Sequence, residues 1–251
     1  MSINNKKVIV CDLDGTLAES KSAISEEMSE VLVGVLRNHY LAIVSGGTYN
    51  QFQKQFLANF SCPPEFLTNL YLFPTNGSVC YKYDGSSSEW KQLYAEVLSE
   101  EQRREIIRAI NDSIAELGLN LTPSYGDLIE DRGSQVTFSG CGQEAPVSVK
   151  ELWDPDQAKR REIKSILERK IPEFEIRMGG MTSIDITRRG IDKAYAVEKI
   201  KSIMKVSDED IIFVGDALYK GGNDSSVKKT EVDFIQEDGP AETIELLRQF
   251  V

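Results

Sequence analysis

Two carboxylates stand two residues apart in Asp12-Leu13-Asp14-Gly15-Thr16, directly after the apolar run Val8-Ile9-Val10-Cys11. An unbroken apolar run of this kind reads as a buried strand, and Gly15 permits a sharp turn at its end. In extended chain, residues i and i+2 face the same way, so both acids can address one ligand. Such a pair suits a hard cation such as Mg2+, which takes oxygen ligands and keeps several of its waters. One carboxylate can also attack a phosphorus atom and hold the phosphoryl group covalently, while the other manages the proton of the leaving group. On this reading Asp12 is the nucleophile and Asp14 the acid/base. Taken alone, Asp-x-Asp-Gly would also suit an ordinary turn. Three further loops weigh against that plainer explanation.

Ser45-Gly46-Gly47 follows a second apolar run, Tyr40-Leu41-Ala42-Ile43-Val44. The Ser45 hydroxyl and the N–H groups of a glycine-rich turn at Gly46 can approach phosphate oxygens. Lys193 opens a helical stretch over 194–204, where a cation beside a helix N-terminus can pair with both phosphate and the aspartates. Gly215-Asp216 ends a third apolar run, and Gly221-Gly222 bends the chain so that Asn223 and Asp224 return toward Asp216. Asp216 therefore joins Asp12 and Asp14 as an expected metal ligand, with Mg2+ as the cofactor. His39, the single histidine, lies before the second strand and away from every one of these loops, so histidine catalysis is not expected.

Charge sets the terms for such a site. The chain of 251 residues has 29 Lys and Arg against 40 Asp and Glu, a formal net charge of −11. A surface of this sign repels nucleic acid and anionic membranes, and it repels phosphorylated metabolites as well. A phosphate-handling site here must bring its own positive field. Four scattered cysteines, Cys11, Cys62, Cys80 and Cys141, offer no Cys-x-x-Cys pair. Neither a zinc site nor a disulfide framework is expected, and a cytoplasmic setting fits. Met1 to Lys7 lacks the long apolar segment of a secretory leader, and no apolar stretch is long enough to span a bilayer.

The elements that must position these loops follow from periodicity. Continuous apolar strands at 6–11, 40–44, 70–74 and 210–214 alternate with helical stretches at 25–36, 48–59 and 194–204. That alternation predicts an α/β core, a doubly wound parallel sheet with its ligand site at the carboxyl ends of the strands. The middle of the chain reads differently. Helical stretches at 99–117 and 157–169 are interleaved with alternating strands near 128–129, 135–139, 174–177 and 182–187, which predicts an inserted α+β cap. The expected division is a core of residues 1–82 and 189–251 with a cap of residues 83–188.

The four loops, in this order, resemble the haloacid dehalogenase superfamily of phosphotransferases over essentially the whole chain. The resemblance implies Asp12 as nucleophile, Asp14 as acid/base, Ser45 and Lys193 as phosphate and charge clamps, Asp216 as a metal ligand, and Asn223 and Asp224 in support. The insert resembles the α/β type II (IIB) cap of sugar phosphatases and eukaryotic phosphomannomutases. Ile129-Glu130-Asp131-Arg132-Gly133 and Gly179-Gly180-Met181-Thr182-Ser183-Ile184-Asp185 are similar to the mutase cap. In the mutases, arginines hold the substrate's non-reacting phosphate, and a Ser and an Asp hold sugar hydroxyls. Arg132, Ser183 and Asp185 match those positions, whereas two further arginine positions fall on Tyr125 and Gln143. With one arginine where a mutase has three, a phosphatase acting on a small phosphorylated metabolite, a sugar phosphate, is the first expectation. A phosphohexomutase is the second, and a non-catalytic binding protein the third. The related mutases dimerise through their caps, so the resemblance leaves a homodimer open.

Overall fold

Val8-Ile9-Val10-Cys11-Asp12 forms strand β1 (Val8–Asp12), buried along its whole length, as an unbroken apolar run demands when both faces of a sheet are covered. The computed structural model describes residues 5–251; residues 1–4, expected to lead into this strand without an apolar leader, lie outside it. The chain divides into two units, Met1–Ala95 with Asp192–Val251, and Glu96–Ile191.

The first unit is built on a seven-stranded sheet. β1 pairs in parallel with β2 (Tyr40–Val44), which pairs with β3 (Leu70–Phe73). On its other side β1 pairs with β10 (Ile211–Gly215), followed by β11 (Asp233–Gln236). Alternate side chains feed two hydrophobic layers. Ile9 and Cys11 join Met28, Leu32 and Leu36 of α1 (Glu26–Asn38) and Ile244 and Leu247 of α8 (Pro240–Leu247). Val8 and Val10 join Ala196, Val197 and Ile200 of α7 (Lys193–Met204). Each fully buried aliphatic side chain contributes about 1.5–3 kcal/mol. Ser25 caps α1 by accepting a hydrogen bond from the Met28 N–H at 3.1 Å.

Two expectations change in this unit. The helix read over 48–59 is α2 (Tyr49–Gln55), capped by a reciprocal Thr48–Gln51 pair, followed by a short 3-10 turn at Leu57–Asn59. The boundary after residue 82 also moves. β4 (Val79–Asp84) and β5 (Glu89–Ala95) form an antiparallel hairpin on the edge of the main sheet, so residues 83–95 belong to the core unit and its sheet is mixed. Half-exposed edge strands alternate in sequence just as cap strands do, which is why the pattern pointed the wrong way. At the far boundary, residues 189–191 fall in the cap unit, where Thr187 donates to the Ile191 carbonyl.

In the second unit, β6 (Ile129–Asp131), β7 (Gln135–Ser139), β9 (Ser183–Arg188) and β8 (Phe174–Gly179) form an antiparallel sheet in that spatial order. Val136, Phe138, Ile176, Ile184 and Ile186 face α4 (Glu100–Glu116) and α6 (Ala158–Lys170) in one core. α5 (Val147–Trp153) was not anticipated; it is a short helix of about two turns after Pro146, too brief to show a period in the sequence. Its Trp153 ring fills the space beside Gly140, where an added Cβ would lie 2.0 Å from the ring. The turn after it holds a buried ion pair. Asp154 accepts from the N–H of Lys159 and from the Arg160 Nε at 2.8 Å, and Arg160 also donates to the Gly180 carbonyl at 2.7 Å. This ties the start of α6 to the β8–β9 turn that precedes Ser183.

One backbone feature positions the carboxyl edge of the core sheet. Thr75, Asn76 and Gly77 are all left-handed, with φ of 49°, 55° and 83°. The Asn76 N–H donates to the Ser45 carbonyl at 2.8 Å, and the Thr75 N–H to the Gly47 carbonyl at 2.9 Å. The Tyr94 hydroxyl from β5 donates to the Gly77 carbonyl at 2.6 Å. A Cβ on Gly77 would lie 2.5 Å from the Ala196 Cβ on α7. Gly77→Ala combines a disfavoured φ with a clash against a helix, so urea unfolding should show a loss of about 2–3 kcal/mol. A stability within about 0.5 kcal/mol of the native protein would contradict this packing.

Candidate active site

The parallel register brings the chemistry-bearing loops to one edge. Asp12 lies opposite Val44, so Ser45 follows at the end of the neighbouring strand. Cys11 lies opposite Val214 on the other side, and Asp216 comes two residues later. Lys193 is the first residue of α7, whose N-cap Asp192 accepts from the Tyr195 N–H at 3.0 Å. Its ammonium is fully buried and lies 2.7 Å from Asp12 Oδ1. The same ammonium donates to Asp224 Oδ1. Asp224 is held in turn by the Ala217 N–H, which donates to its Oδ2 at 3.1 Å. Thr16 donates to Asp216 Oδ1 at 3.4 Å. Gly15 is required twice here: its φ is +88°, and a Cβ would lie 2.6 Å from Asp216 Oδ2.

Asp12, Asp216 and Asp224 each present one oxygen within 4.8 Å of the others. Three carboxylates against one ammonium leave an excess of buried negative charge. Burial pushes the Asp12 carboxyl well above its ordinary range; Lys193 opposes this, and Asp224 adds to it. Burial also raises Asp216, with Asp224 as the next cause. Burial alone would lower Lys193, but Asp12 and Asp224 together hold it above the usual lysine value, so it stays charged. Asp12 Oδ2 is buried and has no hydrogen-bond partner among the described residues. An orphaned, desolvated carboxylate oxygen inside an acidic cluster is what a divalent cation satisfies. The donor set, all hard oxygen, fits such an ion.

Asp14 departs from expectation. Its side chain is not among the three clustered carboxylates; its Oδ1 accepts from the Lys21 N–H at 2.6 Å and from Gln55 Nε2 at 3.3 Å. The reason is where the strand stops. β1 ends at Asp12, and residues 13–18 wind into a turn closed by the Leu17 and Ala18 N–H groups on the Leu13 carbonyl. The same-face rule for residues 12 and 14 therefore fails, and the carboxylate trio is Asp12, Asp216 and Asp224 rather than Asp12, Asp14 and Asp216. Asp224 was read only as a supporting residue; the Gly-Gly bend before it was the signal for a stronger role.

The other expected residues fall as follows. Ser45 is buried, and its Oγ accepts from the Gly47 N–H at 3.0 Å, with Gly46 half-exposed between them. Asn223 is half-buried, and its side chain makes no hydrogen bond among the described residues. His39 sits at the opposite end of β2 from Ser45, with Nδ1 2.7 Å from the Lys6 carbonyl and its ring edge-on to Phe250. In the cap unit, Arg132 Nε and Nη2 both reach Glu130 Oε2, at 2.9 and 2.7 Å. Ser183 and Asp185 share one face of β9, opposite the face that packs on the helices, and Thr137 donates to Asp185 Oδ1 at 2.8 Å. Gln55 was missed entirely, because a glutamine near the end of a helix carries no motif. Among the described residues, no helix is long and apolar enough to cross a membrane.

A family profile described as eukaryotic phosphomannomutase matches residues 28–250. Phosphomannomutase 2 of Dictyostelium discoideum is 26% identical, with 100% of this chain and 98% of that protein covered. The phosphomannomutase of Encephalitozoon cuniculi is 28% identical over 90% of this chain and 86% of that protein. Among solved structures, a haloacid dehalogenase-like hydrolase from Bacteroides thetaiotaomicron superposes with a TM-score of 0.61 at 18% identity, covering 98% of this chain and 100% of that one. The IMP-nucleotidase of Plasmodium falciparum, in an IMP-bound form, gives a TM-score of 0.70 at 15% identity, covering 99% of this chain and 68% of that one. The solved structures show that this chain shares its fold with a haloacid dehalogenase-like hydrolase.

A divalent cation should stabilise the protein against heat, tested with Mg2+ by thermal unfolding. Binding at a hundred times the dissociation constant is worth about 2.7 kcal/mol. Because burial raises Asp12 and Asp216, the metal-free folded state binds protons more tightly than the unfolded chain, and its stability falls as pH climbs above the ordinary carboxylate range. The cation competes with those protons, so the stabilisation should grow between pH 5 and pH 8. Asp216→Asn should remove most of it; a shift indifferent to both pH and this substitution would show that the ion binds elsewhere.

Proposed function

The chain belongs to the eukaryotic phosphomannomutase family, and from that premise we propose that it is a Mg2+-dependent phosphohexomutase, interconverting hexose 6-phosphate and hexose 1-phosphate with the mannose phosphates as leading pair. The observation that carries the chemistry is the buried Asp12 carboxylate, gripped on one oxygen by Lys193 within the acidic cluster. The family match supports the mutase over the phosphatase that was the first expectation.

In this reading Asp12 attacks the phosphorus of a hexose bisphosphate. The Asp12 O–P bond forms as the P–O bond to the sugar breaks, and Asp14 gives its proton to the departing alkoxide. For the return step, Asp14 takes the proton from the free hydroxyl of a hexose monophosphate as that oxygen attacks the aspartyl-phosphate, which releases Asp12 and leaves a bisphosphate that reacts next at its other phosphate. Lys193 fixes Asp12 and faces the phosphoryl charge, and Ser45 with the N–H of Gly46 holds phosphoryl oxygens. Asp12, Asp216 and Asp224 would hold the Mg2+ ion, which supplies positive charge to the phosphoryl oxygens when bound. Asn223 supports this edge. In the cap, Arg132 would meet the non-reacting phosphate, and Ser183 and Asp185 the sugar hydroxyls.

One specific observation favours hydrolysis as the second reading. The other two arginine positions carry an exposed Tyr125 and a half-buried Gln143, and Arg132 is already paired with Glu130. A weaker hold on the second phosphate would let a bisphosphate escape before it reorients. Incubating the protein with mannose 6-phosphate, Mg2+ and a hexose 1,6-bisphosphate distinguishes the two. Mannose 1-phosphate formation that depends on the bisphosphate is the expected result. Stoichiometric phosphate release without isomer would overturn the mutase reading. Asp12→Asn should reduce either activity below about a thousandth, and survival of turnover in that variant would remove Asp12 as nucleophile.

A further inference from the structure

Asp14 is held by a set of groups separate from the acidic cluster. Its Oδ1 receives the backbone N–H of Lys21 at 2.6 Å and the side-chain amide of Gln55 at 3.3 Å. Gln55 is buried at the last position of α2. Its side-chain amide donates a second time to the Ser22 carbonyl at 3.4 Å, and its backbone carbonyl accepts from the Ile24 N–H at 3.0 Å. One residue thus ties the 22–24 segment to α2 and reaches Asp14 as well. Lys21, whose N–H makes the shorter contact, has a φ of 57°, a conformation that a non-glycine residue adopts only when its surroundings enforce it. Gln55 therefore supplies one donor to Asp14 directly and holds the segment that follows the other, Lys21.

We infer that Gln55 is a positioning residue for proton transfer: it sets the Asp14 carboxyl in the place from which it serves the sugar oxygen. The inference rests on the reading of Asp14 as acid/base given above. Both donors grip the same oxygen, Oδ1, and no hydrogen bond from the described residues reaches Oδ2. The carboxyl is thereby oriented with one oxygen anchored and the other available to a substrate hydroxyl. A buried amide is suited to this, since it carries no charge that would compete with the cation site and has two N–H groups to divide between two acceptors. Misplacement of a catalytic group by about 1 Å is enough to cost on the order of 100-fold in rate.

The test uses leaving-group dependence. A sugar alkoxide needs a proton to depart, whereas p-nitrophenolate does not. The full-length protein is compared with Gln55→Met, which keeps the volume and removes both donors, and with Asp14→Asn. Measured as kcat/KM with Mg2+ present, Gln55→Met should lose about 10- to 100-fold on hexose phosphate and less than about threefold on p-nitrophenyl phosphate. Asp14→Asn should show the same discrimination more strongly. Equal loss on both substrates, or no loss on either, would reduce Gln55 to a packing residue and overturn the inference. If Asp14→Asn itself fails to discriminate, the acid/base assignment falls, which is a different result. Should Gln55→Met not fold, as judged by its thermal midpoint, Gln55→Glu is read instead: it keeps the reach but sets a carboxylate against Asp14, and the same discrimination is expected.

Discussion

A buried ammonium with too few positive companions governs the core unit. Lys193 lies among Asp12 and Asp224, all three buried, with the partly buried Asp216 completing the acidic group. Charges taken out of water are tolerated only when paired and hydrogen-bonded. Here the pairing is incomplete by design of the residue types, since one cation faces three acids. The imbalance makes the site a receptor for further positive charge, and it does so on a chain whose outer surface is strongly acidic. Phosphate binding would be unfavourable in such a molecule unless a cation first offset this inward excess of negative charge.

The surrounding fold can be understood as what holds that arrangement in register. Parallel pairing of β1 with β2 and β10 fixes where three loops emerge. α7 packs against the sheet through Ala196, Val197 and Ile200, which presses its first residue down onto Asp12. The left-handed stretch Thr75–Gly77 joins the Ser45 loop to the same helix. Positions of small or special residues at this edge are thus set by contact distances: Gly15 by the Asp216 carboxylate, Gly77 by Ala196, and Gly222 by the Ala217 carbonyl, which would lie 2.0 Å from a Cβ.

Much of this was legible in the sequence. Apolar runs ending in Asp, Ser or Gly-Asp announce buried strands with polar loops at one end, and these strands formed within a residue or two of their expected bounds. What escaped reading was decided by tertiary geometry. The side chain of Asp14 parted from that of Asp12 because the strand stopped at residue 12, and the chain offers no local signal for that stop. β4 and β5 alternate like cap strands, yet they add to the core sheet because the Val79–Asp84 segment continues directly from the Thr75–Gly77 turn. α5 has too few residues to show a period. Gln55 acquires its importance only through what it touches. The cap residues Arg132, Ser183 and Asp185 were named from family resemblance alone, and the structure adds Glu130 as a partner of Arg132 and Thr137 as a partner of Asp185.

The order of strands in the core sheet has a consequence for biosynthesis. β1 sits in the middle of the sheet, yet its neighbour β10 is encoded some 200 positions later, after the whole inserted unit. While the chain is being made, β1 has an apolar flank with unpaired N–H and C=O groups and nothing yet available to cover it. Such an edge is a template for pairing with other chains, and contacts this distant along the chain form slowly. The nascent chain is therefore most vulnerable to aggregation in the interval before residues 192–251 have been made, and that segment also brings Lys193 and two of the three clustered acids, Asp216 and Asp224.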